Sequence, residues 1–130
     1  MSLLENALAA SASGMRAQAT RLRLSAENIA NADTPGYRRK TLSFRQVLDR
    51  DSGAALVKTG KVTLDQTPLN RVFNPGHPLA DDTGGYDGSN VDLVIEIADA
   101  RESQRSYEAN LRMFDQARKM ASAALELLRR

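Results

Sequence analysis

The stretch VDLVIEIADARESQRSYEANLRMFDQARKMASAALELLRR, residues 91–130, decides the fold because it contains neither Gly nor Pro and repeats with a seven-residue period. Two series three residues apart form the repeat: Ile97, Gln104, Leu111, Arg118, Leu125 and Ala100, Tyr107, Phe114, Ala121, Leu128. Such spacing places the series on one helix face, where Gln104 and Arg118 interrupt an otherwise apolar seam. We predict a long C-terminal helix, with Asn90 as its N-cap and Asp92 in its first turn.

A second helix is predicted over residues 3–32, which show the same period. The large apolar residues that recur every seven positions are Leu8, Met15, Leu22 and Ile29. Ala12, Ala19 and Ala26 follow the first three by four residues, which completes a narrow apolar stripe. Pro35 ends this helix, and Thr34-Pro35-Gly36-Tyr37 has the composition of a type II turn.

The middle of the chain has a different composition, because all four prolines lie at positions 35–78 and turn residues dominate positions 74–90. Residues 41–44 form a short strand candidate, and residues 55–64 fit two short strands around Gly60. The predicted fold class is therefore mainly α. Two long amphipathic helices, in segments 1–33 and 91–130, pack as a coiled-coil-like hairpin, and segment 34–90 is an extended connection with a small β element.

The composition predicts that this hairpin associates with other chains. The 130 residues include nineteen Ala and sixteen Leu but only six aromatic residues and no Trp. Small side chains bury little area each, and apolar burial contributes roughly 25 cal/mol per Å². Two such helices make a weak core alone, so we expect them to join a multi-chain helical bundle, with much of their order coming from binding.

Catalysis, cofactors and metals have no support in the sequence. With no Cys, thiolate metal sites, disulfides and thiol nucleophiles are excluded. The single His77 lies in a Pro-rich loop, which is most often a structural or exposed position. Asp81, Asp82 and Asp87 lie among glycines but lack the residue order of a calcium-binding loop. We predict a protein that is not an enzyme, without catalytic residues, cofactor or metal.

The N-terminus has no basic region of the kind a secretory signal peptide carries, and no apolar run approaches the ~20 residues of a membrane span. We therefore expect no direct membrane insertion and no cleaved Sec signal.

The net charge of +2 is unevenly distributed, since the basic excess lies between Arg38 and Arg50. That cluster could contact phosphate, but it more often forms a solvated or partner-facing stretch, so no nucleic-acid partner is predicted. Glu96, Glu102 and Glu108 alternate with arginines on the C-terminal helix. We interpret them as a solvated or interchain salt-bridged face.

The stretch from Asn28 to Tyr37, NIANADTPGY, resembles the N-terminal signature of the bacterial flagellar rod and hook proteins. Residues 74–81, 85–86, 90–92 and 105–110 narrow the resemblance to the rod proteins, and it covers residues 3–128. The family motif positions matched are Asn28, Asn31, Pro35, Gly36, Tyr37, Asn90, Tyr107 and Asn110.

The resemblance implies a structural subunit of the proximal rod, in the periplasm-spanning part of the flagellar basal body. It implies export by the flagellar type III system, and copies of itself, other rod proteins, the export gate and membrane-ring or rod-base proteins as partners. An export-gate motif of this class, Phe followed four residues later by an apolar residue, matches Phe44 and Leu48. Phe44 could equally pack within the small β element.

The sequence hypothesis for assembly is a seam used within and between chains. Its residues are Leu8, Met15, Leu22, Ile29, Tyr107, Leu111, Phe114, Leu125 and Leu128. The alternative is a soluble helical-bundle adaptor that folds alone and binds partner helices. That adaptor would form a stable oligomer independent of concentration.

Overall fold

The computed structural model describes residues 3–129, and it contains the two predicted helices joined by a middle segment of small antiparallel sheets. Helix α1 spans Leu3–Ala30 and helix α2 spans Leu93–Leu128. α1 ends two residues earlier than predicted, because the chain from Asn31 onward forms turns whose amides bond carbonyls three residues back. Arg130, the last residue of the predicted C-terminal helix, lies outside the described residues.

The predicted N-cap of α2 is wrong by two residues. Asp92 is the cap, with extended backbone (φ −101°, ψ 112°) and a carboxylate that accepts from the amides of Val94 and Ile95. The Asn90 side chain cannot cap the helix because it hydrogen-bonds to the backbone of Arg39 and Asp65 in the connection between the helices. An acidic side chain at this position also suits the positive end of the helix dipole.

The helices pack antiparallel through small and polar residues. Asn28 lies opposite Glu96, and Gly14 lies opposite Asn110. α2 is about 54 Å long and α1 about 42 Å. The last two turns of α2 therefore extend past Leu3, where α1 begins. The α2 residues that face α1 recur every seven positions: Glu96, Ser103, Asn110 and Ala117. The predicted series that begins at Ile97 lies one residue later along the helix, and the series that begins at Ala100 lies four residues later.

Gly14 shows how close the helices approach. A methyl group added there would lie 2.7 Å from the side-chain oxygen of Asn110. Such proximity is possible only for small side chains, and the buried apolar residues of the described chain are correspondingly few: Ala17, Leu24, Ala54, Val91 and Ala117.

A long hairpin follows α1 and contains strands β1 (Lys40–Thr41), β2 (Phe44–Leu48), β3 (Ala55–Thr59) and β4 (Thr63–Leu64). β1 pairs with β4 and β2 with β3, both antiparallel. The register shifts by one residue between the two ladders, since two residues separate β1 from β2 but three separate β3 from β4. This bulge at Gly60 splits the strand predicted over residues 41–44, while the two strands predicted around Gly60 are confirmed.

The hairpin runs back along α1, and β3 lies against the helix. The amide of Val57 donates to the hydroxyl of Ser13 at 2.9 Å, and the Asn6 side chain donates to the carbonyl of Ser52 at 3.1 Å. α1 is therefore covered by α2 on one side and by the hairpin on another.

A second hairpin, which the sequence analysis did not predict, is held against the turn that follows α1 and lies partly within the turn-rich residues 74–90. It pairs strand β5 (Arg71–Phe73) with strand β6 (Gly85–Asp87). The ring of His77 stacks on Tyr86 with centroids 4.0 Å apart, which gives the only histidine a structural contact.

Candidate functional site

The motif residue Asn28, near the end of α1, has a buried side-chain amide that is 1% exposed and collects hydrogen bonds from several parts of the chain. Its oxygen accepts from the Tyr37 hydroxyl at 2.8 Å and from the Lys40 amide at 2.9 Å. Its nitrogen donates to the Lys40 carbonyl at 3.0 Å and to Glu96 Oε1 at 3.2 Å. All four hydrogen-bonding positions of the side chain are used, which fixes the turn against both helices. Burial also raises the pKa of Tyr37 above its ordinary value.

Glu96 forms the charged part of the same junction. Its carboxylate is 1% exposed and pairs with the guanidinium of Arg39, which also reaches Asp99 Oδ2 at 2.9 Å. Burial disfavours the charged form of Arg39, but the hydrogen bond and charge of Glu96 outweigh it, so the pKa of Arg39 is raised. Removing either partner of a buried ion pair leaves an uncompensated charge, which makes this pair a fixed link between the connection and α2.

Asn90 fastens the start of α2 to the connection. Its oxygen accepts from the Arg39 amide at 2.6 Å, and its nitrogen donates to the carbonyls of Asp65 and Thr67 at 3.0 and 3.1 Å. Hydrogen bonds from Thr67 hold the pKa of the Asp65 carboxyl below its ordinary value. We call Asn28, Tyr37, Arg39, Lys40, Asn90 and Glu96 the junction.

The turn beside the junction has the predicted type II form. The Tyr37 amide bonds the Thr34 carbonyl at 3.1 Å, and Gly36 has φ +77°, a conformation that favours glycine. Asn31 donates to the Glu27 carbonyl at 2.9 Å and accepts from the Thr34 hydroxyl, which closes the helix end. The Gly36 amide reaches the Gly88 carbonyl at 3.1 Å, so the turn also holds the β5–β6 hairpin.

The last two motif positions lie along α2, away from the junction. Asn110 faces Gly14 of α1 and donates to the Ser106 carbonyl at 2.9 Å. Tyr107 is 37% exposed. The motif residues thus form two groups, six at the helix ends and two at the middle of the helix pair.

Comparison with known proteins gives matches at both ends of the chain. A family model described as "Flagella basal body rod protein" matches residues 8–38, and one described as "Flagellar basal body rod FlgEFG protein C-terminal" matches residues 84–127. A protein named flagellar basal-body rod protein FlgC from Agrobacterium fabrum is 44% identical over 124 residues, covering 90% of this chain and 89% of that protein. This chain belongs to the FlgC family of flagellar basal-body rod proteins.

Two less similar relatives, also named FlgC, match this chain over most of their length. FlgC of Salmonella typhimurium is 36% identical, covering 88% of this chain and 90% of that protein. FlgC of Bacillus subtilis is 34% identical, and the match covers 94% of this chain and 96% of that protein. As a member of the FlgC family, the chain is a structural subunit of the rod and its place is the flagellar basal body, where it assembles with other flagellar proteins.

The predicted seam residues of this FlgC-family chain divide by helix. Leu8, Met15, Leu22 and Ile29 of α1 are half-buried. On α2, Phe114 is half-buried, whereas Tyr107, Leu111, Leu125 and Leu128 are exposed. Within one chain the structure does not bring Leu125 and Leu128 against α1, because they lie beyond its first residues. Their role in assembly stays a prediction.

The predicted export motif lies on the outer strand of the long hairpin. Phe44 is 36% exposed and Leu48 is 69% exposed, and side chains four apart on a strand lie on the same face. Phe44 borders a cavity of about 350 Å³ that Leu24 and Asp99 also line. This placement leaves both motif side chains accessible from one side of β2.

The basic cluster is largely consumed by internal contacts. Arg38 donates to the carbonyls of Asp65 and Thr67, Arg39 pairs with Glu96, and Lys40 Nζ lies 2.8 Å from Glu27 Oε1. Hydrogen bonding from Lys40 keeps the pKa of Glu27 below its ordinary value. Of the five basic residues between positions 38 and 50, only Arg45 and Arg50 are exposed, so the cluster serves mainly to hold the connection.

Sequence reasoning missed the most important charged residue. Glu96 was expected on a solvated or interchain salt-bridged face, but it is buried at the junction and pairs with Arg39 of its own chain. Its spacing held the signal, because Glu96, Ser103, Asn110 and Ala117 form a seven-residue series of small and polar residues beside the more obvious apolar one. Between residues 3 and 129, no helix is long and apolar enough to span a membrane, and no group of three potential metal ligands occurs.

Proposed function

We propose that the chain joins the proximal rod by docking the predicted seam against helices of neighbouring subunits, including copies of itself. The observation that carries this proposal is the apolar surface that the fold leaves uncovered on α2, where Leu125 is 64% and Leu128 is 83% exposed. Apolar surface of this extent on a helix is typical of an interface. A rod subunit obtains its missing neighbours from the assembly.

The two halves of the seam lie on the same side of the helix pair, opposite the long hairpin. Ser13 contacts the hairpin, and Met15, two residues later, points to the far side of α1. On α2, Asp99 bonds Arg39 at the hairpin base, and Ile97, two residues earlier, points away from it. A neighbouring helix can therefore contact residues of α1 and α2 together.

The test is a charge placed on the seam. Leu111→Asp and Leu125→Asp should each abolish incorporation into the rod and swimming, because docking would bury an unpaired carboxylate. Synthesis and folding of the isolated chain should be unchanged. Lys119→Asp, which places the same side chain at another exposed position of α2, is the matched control. Swimming by either seam variant at the control's rate would contradict the seam.

We further propose that Phe44 and Leu48 bind the export gate of the flagellar type III system. Their support is the shared, accessible face of β2. Phe44→Ala should hold the subunit in the cytoplasm, measured by fractionating cells and blotting for the protein. Val47→Ala changes the neighbouring residue that faces the other side of β2 and should leave export normal. Equal export of the two variants would remove Phe44 from this role.

A further inference from the structure

Strand β2 has an edge with no partner among residues 3–129. The amide of Gly60 bonds the Ser43 carbonyl and that of Asp49 bonds the Ala54 carbonyl, both at 2.8 Å. Because an antiparallel ladder alternates, Arg45 and Val47 direct their backbone groups to β3, whereas the even-numbered residues direct theirs outward. These outward residues are Phe44, Gln46 and Leu48. The other edge of this hairpin is covered, since Val57 bonds Ser13 of α1.

Strand β5 has the second open edge. Bonds from Asn74 to Gly84 and from Gly88 to Asn70 fix the ladder, so Arg71 and Phe73 direct their backbone groups away from β6. The outer edge of β6 is occupied, since Gly36 and Asp81 donate to the carbonyls of Asp87 and Gly85. All three residues of β5 are exposed, and Phe73 is 75% exposed. Unpaired strand edges of this kind are templates for pairing with another chain.

The segments that carry these edges have opposite charge. Residues 42–64 contain four basic and two acidic residues, whereas residues 70–90 contain one basic and three acidic residues. Arg45 and Lys58 are directly opposed and exposed on the long hairpin, a like-charge pair that is unfavourable without an anion nearby. On the β5–β6 hairpin, Arg71 is bound between Asp81 and Asp87, and Asp82 remains exposed.

We infer that the open edge of β2 in one subunit pairs antiparallel with the open edge of β5 in a second copy of this chain. Each chain carries both open edges, one on the basic long hairpin and one on the acidic β5–β6 hairpin. The contact therefore joins two different surfaces of neighbouring copies, and such a heterologous contact can repeat without closing. This inference rests on the proposed function, because it names a second contact between subunits that the seam would bring together. Main-chain hydrogen bonds supply the pairing, and the charges select the partner.

Cysteine cross-linking tests the pairing directly, because the natural chain has no Cys. Gln46→Cys is combined in turn with Arg71→Cys and with Phe73→Cys in the full-length protein, expressed in swimming cells and then oxidised. Paired strands bring Cα atoms to about 5.5 Å, within the range of a disulfide. We expect a ladder of covalent oligomers from at least one edge pair. Gln46→Cys with Glu108→Cys, on exposed α2, is the matched control.

The outcomes separate this inference from the proposed function. If the edge-pair variants enter the rod and the cells swim but no ladder forms, or the control pair forms an equal ladder, the edge pairing is wrong and the rod function stands. If the cysteine variants do not enter the rod, charge reversal decides. Arg45→Glu should lower incorporation several-fold, and Asp82→Lys in the same chain should restore it. Unchanged incorporation with Arg45→Glu, or no rescue, would overturn the pairing.

Discussion

α1 and α2 carry similar seven-residue patterns, yet their own chain covers them unequally. α1 is packed between α2 and the long hairpin, and its only exposed large apolar residue in the described chain is Leu3. α2 is packed on one side and exposes eleven large apolar residues, from Leu93 to Leu128. Similar patterns therefore have different surroundings within one chain: α1 is largely covered by the fold, whereas α2 keeps a large apolar surface exposed.

The largest difference in stability is expected when the same substitution, Leu to Ala, is made in each helix. Leu24→Ala should lower the free energy of unfolding by about 2–4 kcal/mol, because it deletes buried methyl groups and leaves a cavity. Leu127→Ala removes the same atoms from a side chain that is 70% exposed, and should change the free energy of unfolding by less than about 0.5 kcal/mol. Urea unfolding of the purified chain measures both, and similar losses would show that α2 is covered as well as α1.

A smaller effect is expected where the two helices approach most closely. Gly14→Ala should cost on the order of 1 kcal/mol, because its methyl group would press on the Asn110 side chain despite the better helix propensity of Ala. Asn110→Ala in the same chain should recover part of that loss, measured as the coupling in a double-mutant cycle. If Gly14→Ala stabilises the protein with Asn110 present, the close approach is absent in solution.

The smallest effect is expected in the β5–β6 hairpin, which lies outside the contact between the two helices. Hydrogen bonds from Thr83 and Arg71 hold the pKa of Asp81 well below its ordinary value. A lowered carboxyl pKa stabilises the folded state above the unfolded pKa of about 4, and that contribution is lost as the pH falls further.

Asp81→Asn should therefore lower thermal stability slightly at pH 7 and leave a shallower loss between about pH 4 and pH 2. Asp82→Asn, at the exposed neighbour, is the control for removing a surface charge. Thermal melts at several pH values measure both variants. Identical profiles for wild type and Asp81→Asn would contradict the contribution of this carboxylate.

The sequence was sufficient to predict the two long helices and the turn after α1, because these depend on a repeated pattern and on turn-forming residues. The Gly- and Pro-free seven-residue pattern predicted α2 to within two residues at its start, and Pro35-Gly36 located the turn after α1. The seven-residue spacing of Glu96 with Ser103 and Ala117 indicated a shared helix face, but its partners Arg39 and Asn28 could not be identified because they are distant in sequence. The β5–β6 hairpin was also missed, since its three-residue strands are too short for an alternating pattern and are fixed by contacts with Gly36 and Asp81.

Amide hydrogen exchange of the purified full-length chain at micromolar concentration, resolved along α2, would show whether the C-terminal part of this helix is stable within a single chain. Exchange reports local opening, which is easiest where few buried contacts hold a segment. We expect protection of residues 13–28 and 96–110, which contact each other, and rapid exchange of residues 118–128, which the fold leaves mostly exposed. Protection of residues 118–128 equal to that of residues 96–110 in a monomer would contradict this expectation. α2 would then be complete without partners, as in a soluble adaptor.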